Sequence, residues 1–189
     1  MIKNSIIYLI GFAGTGKLTI AKEIALKTNI RIVDNHLIND PILSVIQADG
    51  KTPLPREVWD KIGVIRDVVF DTITNISPSN YSFIFTNELI EGNETDLNIY
   101  NKVETIAAKR GSKYLPVRLI CEAEELGNRV VSEERKVNFK MIDKNASLQQ
   151  SLKSTVLNPK HPNTFTLDVT NLSAKESADV ILTELNRLK

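Results

Sequence analysis

Gly11, Gly16 and Lys17 stand at the spacing G-x-x-x-x-G-K within the stretch GFAGTGKLT, residues 11–19. The chemistry this pattern serves is the holding of phosphate. Glycines let successive backbone N–H groups point into a concavity that side chains would obstruct, a following helix adds the positive end of its dipole, and a lysine bridges terminal phosphates. The expected contacts come from Gly11, Phe12, Ala13, Gly14, Thr15, Gly16 and Lys17, with Leu18 and Thr19 opening the helix behind them. Leu18 departs from the pattern. A hydroxyl at this place would ligate Mg²⁺, whereas an aliphatic chain has no lone pair to offer, and Thr19 lies about 100° further round the helix. A metal ion serving this loop must be held in another way.

Other residues with chemical capacity are scattered. Asp34, Asn35 and His36 follow the short run RIVD and fall at the carboxyl end of a strand, where open α/β sheets gather their ligands. Asp34 there can orient or deprotonate an acceptor, with His36 as its rival; the plainer reading is that Asp34 caps the helix that follows. Thr86, Asn87 and Glu88 close the run YSFIFTNE, suited to hydrogen-bonding a water or a substrate, but the terminal aspartate of a Walker B strand is absent. Arg129, Arg135, Lys136 and Lys140 are interleaved with Glu133 and Glu134, which fits either cations that close over a phosphate or a solvated helix laced by i,i+4 pairs. Arg66 interrupts an apolar stripe of Trp59, Ile62, Val69, Phe70 and Ile73 at helical spacing. Its guanidinium either snorkels to water or grips an anionic acceptor. Asn171, in DVTNLS, falls in a turn leading into the last helix.

The elements that must position these residues are legible from periodicity. SIIYLI, residues 5–10, is a continuous apolar run of the kind buried on both faces of a parallel sheet. Strands are expected again at RIVD, YSFIFTNE, KYLPVRLIC and TFTLDVT, with Pro116 weakening the fourth. Helices are expected at 18–27, 37–47, from Pro55 to about Thr74, through Leu97, Tyr100, Val103 and Ala107 to a cap at Gly111, over 122–136, and after Ser173, whose Glu176 completes a capping box. About five strands alternating with helices define an α/β fold, a parallel sheet covered on both faces. One domain is expected over 1–189, with 37–78 as an acceptor-binding insertion and 128–163 as a lid.

Composition narrows the partners. Among 189 residues, 24 Lys and Arg face 23 Asp and Glu, so the formal charge of +1 supplies no general pull toward nucleic acid or an anionic membrane. No apolar run reaches membrane-spanning length, and Cys121, the single cysteine, has no internal disulfide partner. These features suit a cytoplasmic protein, monomer or homodimer, whose partner is a small-molecule acceptor. NKVE, residues 101–104, is excluded as a guanine-reading motif because it falls within an amphipathic helix.

GFAGTGKLT has the spacing G-x-x-G-x-G-K-x-T and resembles the adenylate kinases, in which the residue after the lysine is also not a hydroxyl and the next is Thr. More loosely, the order of elements resembles the shikimate and gluconate kinases and chloramphenicol phosphotransferase. A group of bacterial ATPase- or kinase-like proteins is similar in joining GKLT to an NHL segment, here Asn35-His36-Leu37. The resemblance implies ATP and Mg²⁺ as cofactors, the ion held largely by the nucleotide phosphates and water, with Thr19 or Asp34 as the protein's own contribution. It implies that Thr19 touches phosphate, that Asp34 is a base or a water-mediated metal ligand, and that Arg129 and Arg135 belong to a lid. It also implies that Arg66 holds an acceptor carboxylate, with His36 and Asn87 beside it, and that a nucleotide base packs at Asn171. The expected function is phosphoryl transfer from ATP to a small hydroxyl-, carboxylate- or phosphate-bearing acceptor. Its alternatives are an ATPase without acceptor and a nucleotide-bound regulator of a partner.

Overall fold

The computed structural model describes residues 2–46, 52–131 and 143–188. Five strands, β1 Ser5–Ile10, β2 Arg31–Asp34, β3 Phe83–Asn87, β4 Lys113–Ile120 and β5 Phe165–Asp168, form one sheet in the order β2-β3-β1-β4-β5. Every pairing is parallel. The helices among the described residues are α1 Lys17–Lys27, α2 Asn35–Leu43, α3 Arg56–Asn75, α4 Glu94–Arg110, α5 Ala123–Val130, α6 Lys144–Lys153 and α7 Ala174–Arg187. Sequence periodicity therefore locates every strand, and the structure trims their ends.

All six residues of β1 are buried, because helices cover both faces of the sheet. Ile6, Tyr8 and Ile10 face the core formed with α2, α3 and α4, while Ile7 and Leu9 face the one formed with α1 and α7. Full burial of each such aliphatic side chain contributes roughly 1.5–3 kcal/mol, which fixes the strand that carries the glycine loop. Pro116 sits inside β4 rather than at a weakened start. It is tolerated because β5 pairs with β4 only from Val117 onward, leaving the earlier part of the strand with a single neighbour.

Two expected core positions are exposed. Trp59 is 48% exposed on the first turn of α3, before the helix buries Ile62, Phe70 and Ile73. Leu97 is 46% exposed at the start of α4 and lines a surface cavity, leaving Tyr100, Val103, Ile106 and Ala107 to hold the helix down. The expected capping box of Ser173 and Glu176 is present, and Gly111 ends α4 in the left-handed conformation at φ 58°. Arg110 closes the far end of α3, its guanidinium donating to the carbonyls of Ile73, Ser77 and Pro78. None of the helices among the described residues is long and apolar enough to cross a membrane.

Candidate active site

The loop between β1 and α1 leaves the middle strand of the sheet at its carboxyl end. Its shape has two sources. Gly14 has φ +91°, and a Cβ there would lie 3.0 Å from the carbonyl of Leu126 on α5; at Gly11 a Cβ would meet the Thr15 hydroxyl at 2.7 Å and the Leu119 carbonyl of β4 at 3.0 Å. Side chains are excluded from both directions, so the loop amides can line a concavity. Gly16 is the N-cap of α1 and provides no side-chain acceptor, which leaves the first amides of that helix to an external anion. Lys17 Nζ donates to the carbonyls of Gly11 at 2.7 Å and Phe12 at 2.9 Å, folded along the loop it would serve. Leu18 is half-buried and Thr19 exposed, both on the first turn of α1.

Glu88, one residue beyond β3, reaches this loop. Its Oε2 accepts from the amide of Ala13 at 2.8 Å and its Oε1 from Gln150 Nε2 of α6 at 2.6 Å. The sequence had already marked Glu88 by its position directly after a buried strand. The missing strand-end aspartate thus has a carboxylate beside it, shifted by one residue. Gln150 carried no such signal, because its helix shows only a polar surface pattern.

Across β3 stands a polar network. Asp34 is buried at 6% exposure; its Oδ1 accepts from the Thr86 hydroxyl and its Oδ2 from the His36 amide at 3.3 Å. The capping reading of Asp34 and the strand-end reading therefore coincide in one side chain. Asn87 accepts from the Tyr8 hydroxyl at 3.0 Å and donates to Asn35 Oδ1 at 2.9 Å, so both ends of its amide are committed. Tyr8 is fully buried, and burial pushes its pKa well above the ordinary phenol value, which keeps it a proton donor to Asn87. His36 Nδ1 lies 3.3 Å from Asp40 Oδ1 on the same helix. Asp34 and the start of the loop are two strands apart, about 10 Å. That width admits a small molecule between them.

Arg66 completes this side. Its Nε is buried without a hydrogen-bond partner, and burial lowers its pKa, while the nearby Tyr8, Asp67 and Asp96 favour the charge. Asp96, on the first turn of α4, accepts from the Ile90 amide at 2.8 Å and has its pKa raised by burial, with the charge of Glu88 adding to the rise. Neither Tyr8 nor Asp96 is recognisable in the sequence as part of a site, since one reads as core and the other as a helix-start acid.

Arg129 is held by three contacts at the end of α5. Its Nε donates to Glu125 at 2.7 Å, and its Nη2 donates to the carbonyls of Val169 at 3.1 Å and Thr170 at 2.9 Å. The guanidinium thus fastens α5 to the turn after β5, next to the exposed Asn171. The i,i+4 pairing that the sequence offered is present in the bond to Glu125. Arg135, Lys136 and Lys140 lie outside the described residues, as does part of the expected lid. A cavity of 530 Å³ between the start of α4 and residues 157–161 contains none of the expected site residues.

Among the described residues no three His, Cys, Asp or Glu side chains are grouped to cage a metal.

No protein-family model matches the chain, and no curated protein sequence matches it. Solved structures do match. A gluconokinase from Sinorhizobium meliloti 1021 superimposes with a TM-score of 0.62 at 16% identity, over 97% of this chain and 93% of that one. A shikimate kinase from Acinetobacter baumannii, solved in complex with shikimate, gives 0.61 at 18% identity, over 98% and 96%. A thymidylate kinase from Candida albicans gives 0.62 at 13%, over 97% and 92%. Identities this low speak for fold alone, and the fold is that of the P-loop small-molecule kinases along nearly the whole chain.

Proposed function

We propose that this chain, folded as a P-loop kinase, transfers the terminal phosphoryl group of ATP to a small acceptor bearing a hydroxyl and a negative charge. What supports the reading is the glycine loop with Lys17 at the carboxyl end of β1, the same end of the sheet at which Asp34 closes β2, together with an Arg66 Nε that is buried without a hydrogen-bond partner. A carboxylate or phosphate on the acceptor supplies the hydrogen-bond acceptor that Arg66 Nε lacks. A cytoplasmic setting belongs to the same proposal, since ATP is the donor.

In this reading the loop amides and the first turn of α1 bind the phosphates, and Lys17 exchanges its loop carbonyls for phosphate oxygens as charge builds on them. Magnesium, when bound with the nucleotide, spreads that charge, with Glu88 and, through water, Thr19 or Asp34 as the protein's oxygen donors. Arg66 orients the acceptor. Its hydroxyl oxygen bonds to the terminal phosphorus as the bond from phosphorus to the bridging oxygen of ADP breaks, and the hydroxyl proton passes to Asp34. Arg129 holds the turn after β5, where the base of the nucleotide packs beside Asn171.

The test separates the two halves. Lys17→Ala lowers ATP affinity about 10- to 100-fold in calorimetry and removes transfer while the protein stays folded. Asp34→Asn keeps ATP affinity and lowers transfer by about 10²- to 10⁴-fold. Acceptors are found by thermal shift, screening anionic polyols and nucleoside monophosphates with a non-hydrolysable ATP analogue. Undiminished ATP binding and turnover in a folded Lys17→Ala variant overturns the proposal.

A further inference from the structure

The geometry points to Glu88 as a seat-holder for the terminal phosphate, coupled through Gln150 to helix α6. The inference rests on the reading of the glycine loop as a phosphate site and adds a regulatory contact to it. Two hydrogen bonds carry it. The Ala13 amide, which belongs to the loop, already donates to Glu88 at 2.8 Å, and the second carboxylate oxygen of Glu88 is held by Gln150 at 2.6 Å. A carboxylate bound in this way imitates one oxygen of a phosphate, with a charge of the same sign.

Two anions cannot both take this amide. At contact distance their repulsion opposes the second anion, more strongly in the partly screened setting of a protein surface than in bulk water. A phosphate arriving without a cation must therefore expel Glu88, and the carboxylate that swings away leaves or drags Gln150. A phosphate arriving with Mg²⁺ brings the charge that makes Glu88 a neighbour instead of a competitor. The protein is thereby biased against metal-free phosphates.

The contact to Gln150 gives the exchange a mechanical side. Among the described residues, Ser147 is the only buried side chain of α6. The helix is otherwise tied by packing on α5 and by Lys144 Nζ, which donates to Asn128 at 2.8 Å. Glu88 is thus one of few polar anchors for α6, and it is the anchor that phosphate contests.

The test reads binding rather than transfer. Pyrophosphate and ATP are titrated calorimetrically in EDTA, then ATP again with Mg²⁺, into the full chain and into Glu88→Gln, Gln150→Leu and the double variant, each checked for folding by its thermal transition. Glu88→Gln is isosteric and should bind metal-free pyrophosphate at least about tenfold more tightly. Its gain in ATP affinity on adding Mg²⁺ should be correspondingly smaller than that of the natural chain. Gln150→Leu should produce the same change to a lesser degree, and the double variant should exceed Glu88→Gln by nothing, since the two residues act through one contact. Equal metal-free affinity of Glu88→Gln and the natural chain overturns the inference, as does additivity of the two substitutions. If Lys17→Ala still abolishes binding in that case, the phosphate-loop reading survives and only the role of Glu88 falls. If the natural chain binds neither ligand, both fall together.

Discussion

Arg66 and Arg129 are both half-buried cations that line the carboxyl end of the sheet, one on α3 and one on α5, and the structure treats them in opposite ways. Arg129 has a carboxylate and two carbonyls within hydrogen-bonding distance. Arg66 keeps a buried Nε with no hydrogen-bond partner, while the charges of Tyr8, Asp67 and Asp96 favour its protonated form. A protein that wanted only a stable fold would satisfy both, because a buried donor left unpaired costs about 1–3 kcal/mol. The difference separates a cation whose donors fasten two elements together from one whose Nε the fold leaves unpaired.

Substitution sharpens the contrast. Arg66→Met should raise the acceptor KM by about a hundredfold, the worth of a paired charge-assisted contact, while ATP affinity and the thermal midpoint stay the same or the midpoint rises. Steady-state kinetics beside thermal unfolding would show it, and a collapse of stability without a change in KM would erase the distinction between the two arginines. Arg129→Met should do the reverse, lowering stability by about 2 kcal/mol because the carbonyls of Val169 and Thr170 lose their donor, with a much smaller effect on acceptor use. Chemical denaturation measures that loss.

The smallest effect concerns pH. Burial first, and then the charge of Glu88, raise the pKa of Asp96 against the pull of the Ile90 amide and Arg66. A carboxyl with a raised pKa holds its proton more tightly in the folded chain, so its contribution is complete below the unfolded value of about 3.9 and is lost as pH rises through the folded one. Asp96→Asn should therefore flatten the decline in stability as pH rises from about 4 toward neutrality, and Arg66→Met should steepen it by removing a compensating charge. Thermal midpoints across that range distinguish the two.

The glycine loop of the candidate site was legible because it is local. Its glycines, its lysine and the strand and helix around them are consecutive, so one spacing contains the whole geometry. The polar network across β3 is assembled by register. Asp34 meets Thr86 only because β2 pairs with β3, and Tyr8 meets Asn87 because β3 also pairs with β1. Asp34, Asn87 and Arg66 stood out by position or by breaking a pattern, whereas Tyr8, Asp96 and Gln150 follow the ordinary rules of core strand, helix start and polar helix. Arg129 was visible as a residue but its partners were not, since the turn it fastens lies far along the chain.

The glycine loop also constrains how the molecule comes into being. Its walls are Leu119 of β4 and Leu126 of α5, so the motif near the N-terminus is bounded by residues synthesised much later. β1 likewise pairs with β3 and β4 but not with β2, the strand that follows it. Such non-local pairing slows folding, because loop closure must precede the contacts that reward it. A nascent chain released only as far as α4 therefore has the glycines and the lysine but not the walls that shape the loop.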